Sequence, residues 1–139
     1  MKVGVDTNIL ISSYYFNSMT ANQTLQLSEK CFELCISDIV IAETLSYSIF
    51  KSESRSNTDI RKMYDFITTF TFELYEYKNQ VKHKTVNIRD EKDTKVLVSA
   101  IEAGCDIFVT GDKDFFECKY DGIQIMTPRQ FIDKFQDYL

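Results

Sequence analysis

Short apolar runs alternate along this chain with segments whose apolar residues recur at helical spacing, and that alternation leaves few folds open. Residues 2–6 form an apolar run ending in Asp6, and Thr7 or Asn8 can cap a helix carrying Ile9, Leu10, Ser13 and Tyr14. A second helix is expected from about Thr20 to Cys31, then a strand over 32–37. Ser37 or Asp38 caps a helix striped by Ile39, Val40, Glu43, Tyr47 and Phe50. The polar stretch 51–58 reads as a surface loop, after which Asn57 or Thr58 starts a helix with Ile60, Met63, Tyr64, Ile67 and Phe70. Residues 71–84 fit either helix or strand, and 85–88 read as the third strand. Asp93 opens a helix with Val96, Leu97, Ala100 and Ile101 on one face, which Gly104 ends. Residues 106–110 and 122–126 are the fourth and fifth strands, and Thr127-Pro128 starts a last helix to about Gln136. This alternation implies an α/β fold, a parallel sheet with helices on both faces and right-handed connections. In such folds ligands sit beyond the carboxyl ends of the strands.

A chain of 139 residues without repeats or low-complexity tracts is expected to form a single domain, spanning residues 1–139. One Pro and four Gly leave little room for linkers. There is no apolar run of membrane-spanning length, and the first residues lack a signal peptide's apolar stretch, so the expected location is the cytoplasm, away from membranes. Cys31, Cys35, Cys105 and Cys118 form no Cys-x-x-Cys pair, and His83 is the single histidine. That excludes an ordinary zinc site and points to free thiols in a reducing compartment. The net charge of −5 weighs against a nucleic-acid-binding surface. Against this, bound metal would cancel several acids. In addition, Lys78, Lys82, His83, Lys84, Arg89, Lys92 and Lys95 cluster in one segment, which is either a solvated loop or a substrate-guiding patch.

The chemistry lies in four acidic stretches far apart in sequence: Val5-Asp6-Thr7-Asn8, Ile41-Ala42-Glu43, Asp90-Glu91-Lys92-Asp93 and Thr110-Gly111-Asp112-Lys113-Asp114. Each falls where a strand hands over to the next element, so the sheet can gather them at one edge. Taken singly, Asp6 can be a turn or cap residue, Asp93 a helix-dipole acid, and Asp112 and Asp114 turn formers. Glu43 is more telling, because it occupies the apolar stripe of its helix, where a charge needs a partner or a metal. Carboxylates without imidazole or thiolate favour Mg²⁺ or Mn²⁺. Such an ion activates water and stabilises charge on an attacked phosphate. Neither a Ser-His-Asp triad nor a phosphate-binding Gly-rich loop competes, and one histidine excludes a two-histidine ribonuclease mechanism.

These residues carry a resemblance to a known family. Val5-Asp6-Thr7-Asn8-Ile9-Leu10, the mid-helix Glu43, Arg89-Asp90-Glu91-Lys92-Asp93, Val109-Thr110-Gly111-Asp112-Lys113-Asp114-Phe115 and Ile125-Met126-Thr127-Pro128-Arg129-Gln130-Phe131 resemble the PIN-domain family in order and spacing. The likeness is greatest to bacterial VapC-like toxins of toxin–antitoxin systems. It implies a three-layer α/β/α sandwich, Rossmann-like, with a five-stranded parallel sheet. It further implies a Mg²⁺- or Mn²⁺-dependent endoribonuclease acting on an RNA substrate, with a homodimer and an antitoxin protein as partners. On the family pattern Asp6, Glu43, Asp93 and Asp112 match the catalytic, metal-holding acids, and Asp114 is a second acid of the last motif. Asn8, Thr110 and Asp90 match supporting positions. The Asp90–Asp93 segment lacks the Pro that often follows the first Asp, which leaves Asp90 and Asp93 as alternatives for the third acid; Asp93 keeps the spacing to Ala100 and Gly104.

Two other classes compete. A PIN-like module that binds RNA or protein without turnover would tend to have lost one of the acids. A phosphoacceptor signalling domain wants an acid pair after the first strand and a Lys after the fifth, where this chain has Asp6-Thr7-Asn8 and Met126-Thr127. The aromatic middle (Phe66, Phe70, Phe72, Tyr75 and Tyr77) fits either core or a dimer surface.

Overall fold

The computed structural model describes residues 1–51, 57–79, 91–117 and 122–138. Along these residues run β1 (Lys2–Val5), α1 (Thr7–Tyr15), α2 (Met19–Cys31), β2 (Glu33–Ser37), α3 (Asp38–Lys51), α4 (Asn57–Thr68), β3 (Glu73–Tyr75), α5 (Glu91–Glu102), β4 (Ile107–Val109), β5 (Gln124–Met126) and α6 (Pro128–Phe135). The strands form one sheet in the order β3-β2-β1-β4-β5, and every neighbouring pair is parallel. From β1 the chain moves outward to β3, then returns across the sheet to β4. Right-handed crossovers therefore carry α1 to α4 on one face and α5 on the other, the expected three-layer sandwich.

The central strands are apolar on both faces, as a parallel sheet covered by helices requires. Val3 aligns with Leu34 on one side and Ile107 on the other, and all three are buried. Gly4 aligns with Cys35 and Phe108 on the face toward α5. A Cβ on Gly4 would lie 3.2 Å from Cys105 Sγ and 3.4 Å from Ala100 Cβ, so the glycine lets the end of α5 settle on β1. Gly104, at φ +79°, ends α5: its amide donates to Ile101 O, and the Cys105 amide donates to Ala100 O, each at 3.0 Å. On the opposite face α2 packs on α6. Phe32, Phe131 and Phe135 form an aromatic cluster there, with centroids 4.9–6.1 Å apart. A capping box between Thr127 and Gln130, with Pro128 in the first turn, starts α6 as its sequence predicts.

Three expectations change. The cap of α1 is Asp6 itself, since its carboxylate accepts from the Thr7 amide and leaves Thr7 inside the helix. α3 extends through Lys51, into the stretch expected to be loop. The third strand is Glu73–Tyr75, in the tract that fitted helix or strand; the strand expected at 85–88 lies outside the described residues, as does Cys118. The aromatic set Phe66, Phe70, Phe72, Tyr75 and Tyr77 packs against the core, each residue partly buried.

Phe131 is fully buried at the α2–α6 junction. Phe131→Ala is expected to lower the unfolding free energy by about 3–5 kcal/mol in urea denaturation. A loss under about 1 kcal/mol, the size of a typical surface change, would mean that α6 is not part of this core.

Candidate metal centre

β1 and β4 lie side by side and end together, and the residues just past them build the site. The Asp6 amide donates to Val109 O at 3.0 Å and the Thr110 amide to Met126 O at 2.9 Å, so both residues continue the sheet by one step. Their side chains then meet, the Thr110 hydroxyl donating to Asp6 Oδ2 at 2.7 Å. The same carboxylate accepts from the Thr7 amide and from Asn8 Nδ2, both at 2.8 Å. Asn8 Oδ1 accepts from the Gly111 amide at 3.3 Å, and Thr110 Oγ1 from the Asp112 amide at 3.0 Å. Asp112 Oδ1 in turn accepts from the Asp114 amide at 3.0 Å, closing a short side-chain turn. Asn8 and Thr110 thus tie the first motif to the last through these hydrogen bonds.

Asp6 is 5% exposed. Burial pushes its carboxyl up to about 6. The hydrogen bonds from Thr110 and Thr7 oppose that rise, while the nearby negative charges of Glu43 and Asp112 add to it. Glu43 projects from α3, which packs against α1, and its Oε2 accepts from the Thr7 hydroxyl at 2.7 Å. Thr7 escaped the sequence reading; nothing in a lone Asp-Thr-Asn signals a bond to a residue 36 positions away. Asp93 stands in the first turn of α5. The half-buried Asp93, Asp112 and Asp114 can each offer one carboxylate oxygen, all within 4.8 Å of one another. Glu43 and Asp93 line one open groove together with Thr7, Tyr47, Phe50 and Lys95.

The four expected acids and Asp114 therefore belong to one region at the carboxyl edge of the sheet. Asp93, Asp112 and Asp114 cluster together, Asp6 is linked to the Asp112 backbone through Thr110, and Glu43 lines the same groove as Asp93. Asp90 lies outside the described residues, as do Lys82, His83, Lys84 and Arg89 of the basic segment. Lys92 and Lys95 do reach the groove. The donor chemistry fits a hard divalent cation: five carboxylates gather there, and the group that can share an ion consists of oxygen donors alone.

Comparison with known proteins agrees with this fold. Residues 2–114 match the PIN domain family. Among solved structures, VapBC2 from Rickettsia felis, bound to a DNA fragment from its promoter, is similar with a TM-score of 0.68 at 20% identity, covering 91% of this chain and 98% of that one. DNA-bound VapBC from Salmonella typhimurium is similar with a TM-score of 0.69 at 22% identity, covering 92% and 98%. VapBC-1 from nontypeable Haemophilus influenzae gives 0.67 at 17% identity, covering 93% and 99%. At these identities the likeness is one of fold. Among curated proteins none matches significantly in sequence. Among the described residues no helix is long and apolar enough to cross a membrane.

The pH dependence of stability follows from Asp6. Its folded value of about 6 lies above the unfolded value of 3.8, so the folded chain binds that proton more tightly. The stabilising contribution is therefore greatest below the unfolded value and falls as pH rises through the folded one, by on the order of 3 kcal/mol in all. In EDTA, the unfolding free energy of wild type minus that of Asp6→Asn is expected to fall by about that much between about pH 4 and about pH 7. A difference that stays flat with pH would remove the case for a strained buried carboxylate.

Proposed function

The chain belongs to the PIN-domain family, and from that premise we propose that it is a Mg²⁺- or Mn²⁺-dependent endoribonuclease and the toxin of a toxin–antitoxin pair. The observation that carries the proposal is the convergence of Asp93, Asp112 and Asp114 on one point, beside Asp6 and Glu43. Asp6, Glu43, Asp93, Asp112 and Asp114 would hold the cation. When bound, the cation supplies positive charge that makes a water nucleophilic and offsets the negative charge growing on the attacked phosphate. The chain's own groups do the rest. Thr110 and Asn8 lock Asp6 in place through their hydrogen bonds and fix the Gly111–Asp112 backbone relative to it. Lys92 and Lys95, on the rim of the groove, offer positive charge to the RNA backbone. Tyr47 and Phe50 extend the same groove with ring faces on which an unpaired base can stack.

The partners follow from the same premise. The similar structures are VapBC assemblies, which supports an antitoxin as the protein that binds this chain. A second copy of the chain, forming a homodimer, is the other partner the family likeness supports, and the cytoplasm is the compartment in which such a protein would meet RNA.

Purified protein is expected to cleave single-stranded RNA with Mn²⁺ and to stop in EDTA. Asp112→Asn and Asp6→Asn should each cut at least about 100-fold more slowly, the scale on which removing a group aimed at transition-state charge acts. Variants that fold and cleave like wild type would mark the activity as a contaminant. Tight Mn²⁺ binding without any cleavage would make the chain a binding module instead.

A further inference from the structure

We infer that the Thr7 hydroxyl is a positioning group that holds Glu43 in its cation-binding pose, an inference that rests on Glu43 being a metal ligand of the proposed nuclease. Thr7 is the first residue of α1 and only 9% exposed. It touches two acids at once, its amide donating to Asp6 Oδ1 at 2.8 Å and its hydroxyl to Glu43 Oε2 at 2.7 Å. Those acids come from the end of β1 and the middle of α3, and no backbone pairing joins these two places. One residue, through its amide and its hydroxyl, therefore links two carboxylates that repel each other.

The physical need for such a tether is specific to Glu43. Asp6 is held by three donors, and the Asp112 carboxylate by the Asp114 amide within a tight turn. Glu43 hangs on a longer, rotamer-rich side chain at the edge of an open groove. Repulsion from Asp6 favours rotamers that swing its carboxylate out to water before any cation arrives. Thr7 opposes this cheaply, because a β-branched side chain inside a helix has few χ1 positions. Its hydroxyl takes up one lone pair of Oε2 and leaves the other oxygen for the ion. Partners of this kind, one step behind the ligand, typically change metal affinity by roughly 10–100-fold when removed.

Calorimetric titration of the purified chain with Mn²⁺ tests this without any nuclease assay. Thr7→Val keeps the shape and removes the hydroxyl, and is expected to weaken Mn²⁺ binding roughly 10–100-fold. Thr7→Ser should restore binding close to wild type. In a Glu43→Gln background, Thr7→Val should cost nothing further, since the carboxylate it tethers is gone. Equal binding by wild type and Thr7→Val overturns the inference. The same loss in both backgrounds, together with a lowered melting temperature of the metal-free protein, overturns it as well, because Thr7 would then be joining α1 to α3 only. If wild type does not bind Mn²⁺, or binds it as well when Asp112 is Asn, the metal centre itself fails and this inference falls with it. Binding that needs Asp112 but ignores Thr7 sinks the inference alone.

Discussion

A carboxylate buried at the ends of two adjacent parallel strands is the constraint around which the rest of the site is arranged. Asp6 loses nearly all its water, and three hydrogen bonds only partly compensate, so its proton affinity rises. A residue this costly is tolerated because its three donors come from groups that also shape the surroundings: Thr7 begins α1, Asn8 reaches the Gly111 backbone, and Thr110 orients the turn that carries Asp112. The apolar core holds β1 and β4 in register, and this network converts that register into the placement of acids. The burial penalty of Asp6 and the precision of the site are two sides of one arrangement.

Topology explains why so few polar contacts suffice. In a sheet ordered β3-β2-β1-β4-β5, all strands parallel, every strand delivers its carboxyl end to the same edge. The motifs after β1 and β4 become neighbours although more than 100 positions separate Asp6 from Thr110. Asp93 arrives from the opposite face on the first turn of α5, and Glu43 from the helix that follows β2. The five acids thus come from four separate places in the chain, and the sandwich as a whole sets their separations. A change in the packing of α3 or α5 would reach the site with little local damping.

Much of this was legible in sequence, for physical reasons that differ by element. Buried strands such as Val3–Val5 and Ile107–Val109 are continuous apolar runs, and α6 carries its own start signal in Thr127-Pro128 and Gln130. Glu43 stood out because a charge on an apolar stripe violates patterning. β3 did not, because Glu73-Leu74-Tyr75 is a three-residue edge strand, largely exposed, with neither a buried run nor a clean alternation. The cap of α1 was displaced by one residue because Asp, Thr and Asn in succession can all cap, and only the contact with Thr110 decides that Asp6 does. Thr7 was invisible for the opposite reason: its role is a purely tertiary hydrogen bond, and its immediate neighbours in sequence carry no trace of it.

The acidity of the chain also looks different once the site is placed. The net charge is −5, and Asp6, Glu43, Asp93, Asp112 and Asp114 are themselves five acids. The other acids and the Lys and Arg residues of the chain balance in number, so these five acids equal the whole excess negative charge. A general acidic field would repel RNA from every side and could not be cured locally. In the proposed nuclease, a concentrated one would be offset by the divalent charge that those same oxygens are suited to hold, and Lys92 and Lys95 in the groove would then face the RNA backbone. In the proposed nuclease, then, the cation would do more than chemistry: it would change the sign of the surface that RNA approaches. Binding and catalysis would share one electrostatic requirement.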